Sequence, residues 1–144
     1  MTKATREVKF LIVDDDKVSV MSMQRTLKKL KIVNPVKVAK DGVEALEILH
    51  QEIAENDGLP PYIVTLDLNM PRMNGLEFLS EIRAHPELKK LVVFVLTTSD
   101  TPKDVTKAYE NNVAGYVVKD NPSETLPKAL DMIGAYSRLV ELPF

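Results

Sequence analysis

The 144-residue chain contains no cysteine. That excludes a disulfide framework, a thiolate metal site and a cysteine nucleophile, and it fits a reducing cytoplasm. Basic runs and arginine-rich arms are also missing. The 19 lysines and arginines stand against 21 acids, for a formal net charge of -2. Both signs are spread along the chain, which argues against nucleic acid as a direct partner. The start, Met1 to Lys9, is polar and lacks the apolar stretch of a secretory leader. Apolar runs such as Leu91–Leu96 are far too short to cross a bilayer. There is no linker, repeat or low-complexity segment. These absences predict a cytoplasmic protein without a membrane partner, built as one domain over residues 1–144. A chain of this length buries one full core without staples.

What is present is a regular alternation. Short apolar runs occur at Val8–Val13, Val36–Ala39, Tyr62–Leu66, Leu91–Leu96 and Gly115–Val118. They are rich in Val, Ile, Leu and aromatics, as buried strands are. Between them lie helical patterns. Val20, Met23, Leu27 and Leu30 follow Asp16, an expected N-cap. Val43, Leu46, Leu49 or His50, and Ile53 follow Asp41-Gly42, and the segment Asn56 to Gly58 ends that helix. Leu76, Leu79 and Ile82 mark a third helix, stopped before Pro86. Pro102 to Asn111 reads as a fourth and Ser123 to about Leu139 as a fifth, with Pro127 tolerated only if it lies in the first turn. Five strand–helix repeats imply a doubly wound α/β fold of the flavodoxin-like kind. The expected sheet has five parallel strands in the order 2-1-3-4-5, with five helices. The core spans about residues 8–133, and 134–144 forms the end of the last helix and a tail. Leu139, Val140, Leu142 and Phe144 in that tail either pack on the domain or pair two copies into a homodimer.

In this architecture ligands sit outside the carboxyl ends of the strands. Reactive residues are therefore expected just after strands one, three, four and five. Strand one ends in Asp14, Asp15 and Asp16, strand three in Asp67, strand four in Thr97, Thr98 and Ser99, and strand five in Lys119. Taken singly, each is ordinary, since acids and hydroxyls cap helices and lysines decorate surfaces. Together at one mouth they imply chemistry. Converging carboxylates repel one another unless a cation neutralises them, and Mg2+ prefers oxygen ligands. A strand-end Asp67 among them suits a nucleophile toward phosphorus. The hydroxyls suit a donor to a phosphoryl oxygen, and an ammonium neutralises charge developing there.

The chain resembles the bacterial receiver domains of two-component signalling from about Val8 to Ile133. The resemblance is carried by Leu11-Ile12-Val13-Asp14-Asp15, by Asp41-Gly42-Val43-Glu44-Ala45-Leu46, and by the stretch Leu66-Asp67-Leu68-Asn69-Met70-Pro71-Arg72-Met73-Asn74-Gly75. Val95-Leu96-Thr97-Thr98 and Gly115-Tyr116-Val117-Val118-Lys119 complete it. The long second helix and the Leu-Thr-Thr-Ser end of strand four are similar to the stand-alone, chemotaxis-receiver-like members found beside bacterial phytochromes. The resemblance implies that Asp67 is the phospho-acceptor. It implies that Asp14, Asp15, Asp67 and the Asn69 backbone carbonyl bind Mg2+. Thr97 matches the switch hydroxyl, Tyr116 the switch aromatic and Lys119 the phosphate-binding lysine. Asn69 and Ser99 match positions that tune the lifetime of the phosphoryl group.

The implied partners are a sensor histidine kinase or histidine phosphotransfer protein, and an output protein that the sequence does not name. The chain assists its own phosphorylation and dephosphorylation without being an enzyme in the ordinary sense. Two alternatives compete. A haloacid-dehalogenase-type phosphatase would use Asp14 as nucleophile and Asp16 as general acid, but it leaves Asp67 unexplained. A pseudo-receiver would bind partners without taking phosphate. One departure from the family pattern concerns Lys119, which is followed by Asp120 where proline is usual. A cis bond before a residue other than proline costs about 2.5–4 kcal/mol, so the Lys119–Asp120 bond is expected to be trans, with Asp120 helping to cap the fifth helix.

Overall fold

The five apolar runs form strands because each is short, β-branched and closed by turn residues. The computed structural model describes residues 7–144. Residues 1–6 of the polar start, read above as carrying no leader, lie outside the described residues. The elements are β1 (Lys9–Val13), α1 (Lys17–Lys29), β2 (Val36–Ala39), α2 (Gly42–Asn56), β3 (Tyr62–Leu66), α3 (Gly75–Ala84), a 3-10 turn (Leu88–Lys90), β4 (Val92–Thr97), α4 (Pro102–Glu110), β5 (Gly115–Val118) and α5 (Pro122–Leu139). All strand pairs are parallel, in the order β2-β1-β3-β4-β5. The architecture is the one expected from the sequence.

Helices cover both faces of the sheet. One core joins Leu11, Val64 and Val93 to Leu49, Phe78 and Ile82. The other joins Ile12, Ile63 and Phe94 to Met23, Leu27 and Leu130. Every residue of β3 is buried, as a central strand covered on both sides requires. Fully burying one such side chain stabilises by about 1.5–3 kcal/mol.

Register places the site. Val13 pairs with both Ala39 and Leu66, so β1, β2 and β3 end level. Thr97 pairs with Val118 at the ends of β4 and β5. The ladder continues one residue further: Asp14 N–H donates to the Ala39 carbonyl, Asp67 N–H to Val13, and Lys119 N–H to Thr97. The backbones under three of the four candidate positions are thus fixed by sheet hydrogen bonds, while Thr97 is itself the last residue of β4.

Helix starts follow their caps. Asp16 caps α1, Asp41 caps α2, Thr101 caps α4, and Asn74 with Glu77 makes a capping box on α3. Three expectations need correction. Pro127 lies in the second turn of α5, not the first, because the helix begins at Pro122, an N1 position that proline favours. Pro127 removes the N–H that would reach the Ser123 carbonyl, but both residues are exposed, so water can take that carbonyl. Asp120 is exposed and caps nothing; Asn121 is the N-cap, and its side chain accepts from the Ser123 hydroxyl. On α2 the buried stripe is Gly42, Ala45, Leu49 and Glu52, with Val43, Leu46 and Ile53 only partly covered. No peptide bond among the described residues is cis, as expected for Lys119–Asp120. In the tail, Leu142 packs on one core and Phe144 on the other, while Leu139 and Val140 stay exposed. Among the described residues, no helix is long and apolar enough to cross a membrane.

Candidate functional site

Asp14, Asp15 and Asp67 each offer a carboxylate oxygen, and these atoms lie within 4.8 Å of one another. Asp14 is buried, Asp67 half-buried and Asp15 exposed. This donor set suits a hard divalent cation: all-oxygen, strongly anionic and open to solvent on one side. Burial pushes the Asp67 carboxyl above its ordinary range, and the neighbouring Asp14 charge adds to that; the Thr97 hydrogen bond and the Lys119 charge pull the other way. Charge neutralisation at this mouth is therefore incomplete with protein groups alone.

The sequence-predicted residues divide into three groups. Thr97 Oγ1 donates to Asp67 Oδ1 at 2.8 Å, and the Asn69 N–H approaches the same oxygen at 3.4 Å. Lys119 reaches Asp14 rather than Asp67. Its Nζ sits 3.2 Å from Asp14 Oδ2 and 3.2 Å from Ser19 Oγ, and the residue is only 7% exposed. Ser99 and Tyr116 meet away from the carboxylates: the Tyr116 hydroxyl donates to the Ser99 carbonyl at 2.8 Å, and Ser99 Oγ donates to Asp104 Oδ2 at 2.5 Å. Ser99 N–H points back to Thr97 Oγ1 at 3.4 Å. A connected path therefore runs from Asp67 through Thr97 and Ser99 to Tyr116.

Asp16 stands outside the acid cluster. Its side chain accepts from Val18 N–H and Ser19 N–H as the cap of α1. A phosphatase reading, which needs Asp16 as general acid beside Asp14, loses that residue to capping.

Sequence reasoning missed three members of this neighbourhood. Ser19 sits one turn into α1, where a hydroxyl usually means nothing. Asp104 caps no helix of its own, and its spacing from Ser99 carries no distinctive pattern. Asp41 was read only as preceding the second helix, yet it caps α2 and forms a bidentate ion pair with Arg72 at 2.8 and 3.1 Å. The expected strand order contained a usable signal for that pair, since β2 and β3 both flank β1 and their following loops open on the same edge.

The family model for the response regulator receiver domain matches residues 10–131. Response regulator Rcp1 of Synechocystis sp. is 34% identical over 126 residues, covering 88% of this chain and 86% of that protein. The solved Mn(2+)-bound form of response regulator Rcp1 superposes with a TM-score of 0.81, at 34% identity over 94% of this chain and 99% of the other. The phosphorylated cyanobacterial phytochrome response regulator RcpA gives a TM-score of 0.83 at 31% identity, over 98% of this chain and all of the other.

Proposed function

The chain belongs to the response regulator receiver domains of two-component systems, and from that premise we propose that Asp67 is its phospho-acceptor, served by Asp14, Asp15, Thr97 and Lys119. Receiver domains are phosphoryl acceptors rather than ordinary enzymes. The observation that carries the residue assignment is the convergence of three carboxylates, with the Thr97 hydroxyl already on Asp67 Oδ1 and the Lys119 ammonium already on Asp14. The donor is a phosphohistidine on a sensor kinase or a phosphotransfer protein. An Asp67 oxygen forms the new bond to phosphorus as the phosphorus–nitrogen bond breaks, and the imidazole leaves with the electron pair. Water later cleaves the acyl phosphate.

Such a transition state carries its charge on the equatorial oxygens, so catalysis is mainly positioning and neutralisation. Asp14, Asp15, Asp67 and the Asn69 carbonyl would hold Mg2+, which would supply positive charge at that point. The chain's own groups do the rest. Thr97 would turn its hydroxyl hydrogen bond from Asp67 Oδ1 to a phosphoryl oxygen. Lys119 is buried beside the site and needs only to leave Asp14. Asn69 and Ser99 match the positions that tune how long the phosphoryl group survives. Movement of Thr97 toward the phosphoryl group would loosen the Ser99 backbone and hence the Tyr116 hydroxyl, changing the surface of α4, β5 and α5. That surface would meet the output protein. We take residues 1–144 as a single domain, and the similarity to the phytochrome response regulator RcpA favours a phytochrome-type kinase as the upstream partner. Phosphotransfer from a panel of labelled sensor kinases tests the reading: one kinase should label the wild type rapidly and leave Asp67→Asn unlabelled. Equal labelling of both proteins would reject Asp67.

A further inference from the structure

The loop of residues 67–75 carries both Asp67 and Asn69. Its two ends are tied together, since Gly75 N–H donates to the Leu68 carbonyl at 3.0 Å. A side chain at Gly75 would collide with the Asp67 carbonyl and with Leu68, so the loop closes tightly under the acceptor. The far side of the loop is fastened to the start of α2. Gly42 N–H donates to the Met73 carbonyl at 3.0 Å, and Met73 packs where a Gly42 side chain would sit. Beside that contact, Arg72 Nε and Nη2 bind the two oxygens of Asp41.

Capping α2 does not account for this pair. A cap needs one acceptor oxygen at the helix edge, and most caps face water. Asp41 supplies that oxygen to Glu44 N–H, yet it is only 1% exposed, and its second oxygen goes to Arg72. Burying a carboxylate this deeply requires a partner. Arg72 meets it from a left-handed backbone, φ 61, which a residue with a side chain adopts only when its surroundings hold it there. The loop tip is thus pulled toward α2 by a directed, two-point contact three residues beyond Asn69.

We propose that Asp41 and Arg72 form a positioning pair that holds the Asp67–Asn69 segment ready for the divalent cation, and so sets metal affinity without touching the metal. The inference rests on the reading of this mouth as a metal-assisted phospho-acceptor site. It has a sign that simple charge arithmetic does not share. Removing Arg72 deletes a positive charge near an acidic mouth and leaves Asp41 unneutralised, which by Coulomb attraction alone would tighten cation binding. Loss of positioning weakens it instead.

The test is a titration with Mg2+ alone, without phosphodonor, followed by the amide resonance of Asn69 and by competition with Mn2+ in spin resonance. Arg72→Met should raise the Mg2+ Kd about tenfold, the size of effect usual for groups that orient metal ligands. Arg72→Lys, which keeps the charge but loses the two-point fork, should fall between. Asp41→Asn, which keeps the cap oxygen and the side-chain volume, should resemble Arg72→Met, and the double variant should be no worse than either single one. Thermal melting without metal is measured on each, so a fold defect is seen separately; if Arg72→Met does not fold, Arg72→Lys and Asp41→Asn carry the comparison. An unchanged or tighter Mg2+ Kd in the folded variants overturns the proposal while leaving the acceptor reading intact. A wild type whose Asn69 signal ignores Mg2+ overturns both.

Discussion

The Thr97 hydroxyl bridges β4 to β3 by donating a 2.8 Å hydrogen bond to Asp67 Oδ1, before any phosphoryl group is present. The bond does two things in the resting protein. It offsets part of the burial that pushes Asp67 toward protonation, and on the proposed reading it leaves the Thr97 hydroxyl one short movement from where a phosphoryl oxygen would arrive. Thr97 Oγ1 also accepts from Ser99 N–H, and the Ser99 carbonyl accepts from the Tyr116 hydroxyl.

Thr97→Ala should therefore separate labelling from signalling. Asp67 still takes the phosphoryl group, because the nucleophile and the acid pair remain, but the shift changes across residues 107–118 shrink to a minor fraction of the wild-type response. Backbone resonances with and without acetyl phosphate and Mg2+ are the readout. Full wild-type changes in phosphorylated Thr97→Ala would mean that the coupling bypasses Thr97.

On the proposed reading, Lys119 would compete with the cation for Asp14. Its ammonium lies on Asp14 Oδ2, and both groups are buried. Lys119→Met should tighten Mg2+ binding by about tenfold, since a nearby unit charge no longer repels the ion. Phosphorylation should slow at the same time, because neutralisation of the transferring group is lost. Calorimetric titration gives the first effect and acetyl-phosphate kinetics the second. Weaker Mg2+ binding in Lys119→Met would show that Lys119 organises the acids instead of opposing the metal.

Glu52 is a buried carboxylate bonded at 3.0 Å to both Lys9 and Lys37. Burial pushes its pKa up, but the two ammonium groups outweigh it and the net shift is downward from 4.5. A folded-state pKa below the unfolded one contributes stability that is present above the unfolded value and is lost as pH falls through the folded one. Glu52→Gln should cost about 2 kcal/mol at neutral pH, in the range of hydrogen bonds to charged groups. The gap to wild type should narrow as pH drops below 4.5. Urea melts at several pH values check this; a gap that is constant down to the acid limit would contradict it.

Thr65 Oγ1, in the central strand two residues before Asp67, is buried without a hydrogen-bond partner. Thr65→Val removes an unsatisfied hydroxyl at nearly constant shape. It should stabilise by about 1 kcal/mol, read as a raised denaturation midpoint with an unchanged slope. A lowered midpoint would indicate a buried water bound to that hydroxyl.

The elements were legible because their signals are local. Apolar runs four to six residues long, closed by turn residues, gave the strands, and Asp16 and Asp41 marked helix starts. The site was legible because topology converts strand ends into neighbours, so Asp14, Asp67, Thr97 and Lys119 could be grouped before any distance was known. What escaped was set by side-chain choice between nearby partners. Nothing in the sequence says that Lys119 rests on Asp14 and Ser19, that Ser99 turns to Asp104, or that Arg72 reaches Asp41. Pro127 escaped for a simpler reason: even counted from Ser123 it is the fifth residue, past a first turn of about 3.6 residues.

The most direct test of the account is to map the phosphoryl group itself. The protein is incubated with acetyl phosphate and Mg2+, digested under conditions that preserve acyl phosphates, and read by mass spectrometry. The account predicts one added phosphoryl group, on the peptide containing Asp67, absent without Mg2+ and absent in Asp67→Asn. A phosphoryl group on Asp14, or one that persists at wild-type level in Asp67→Asn, would contradict it.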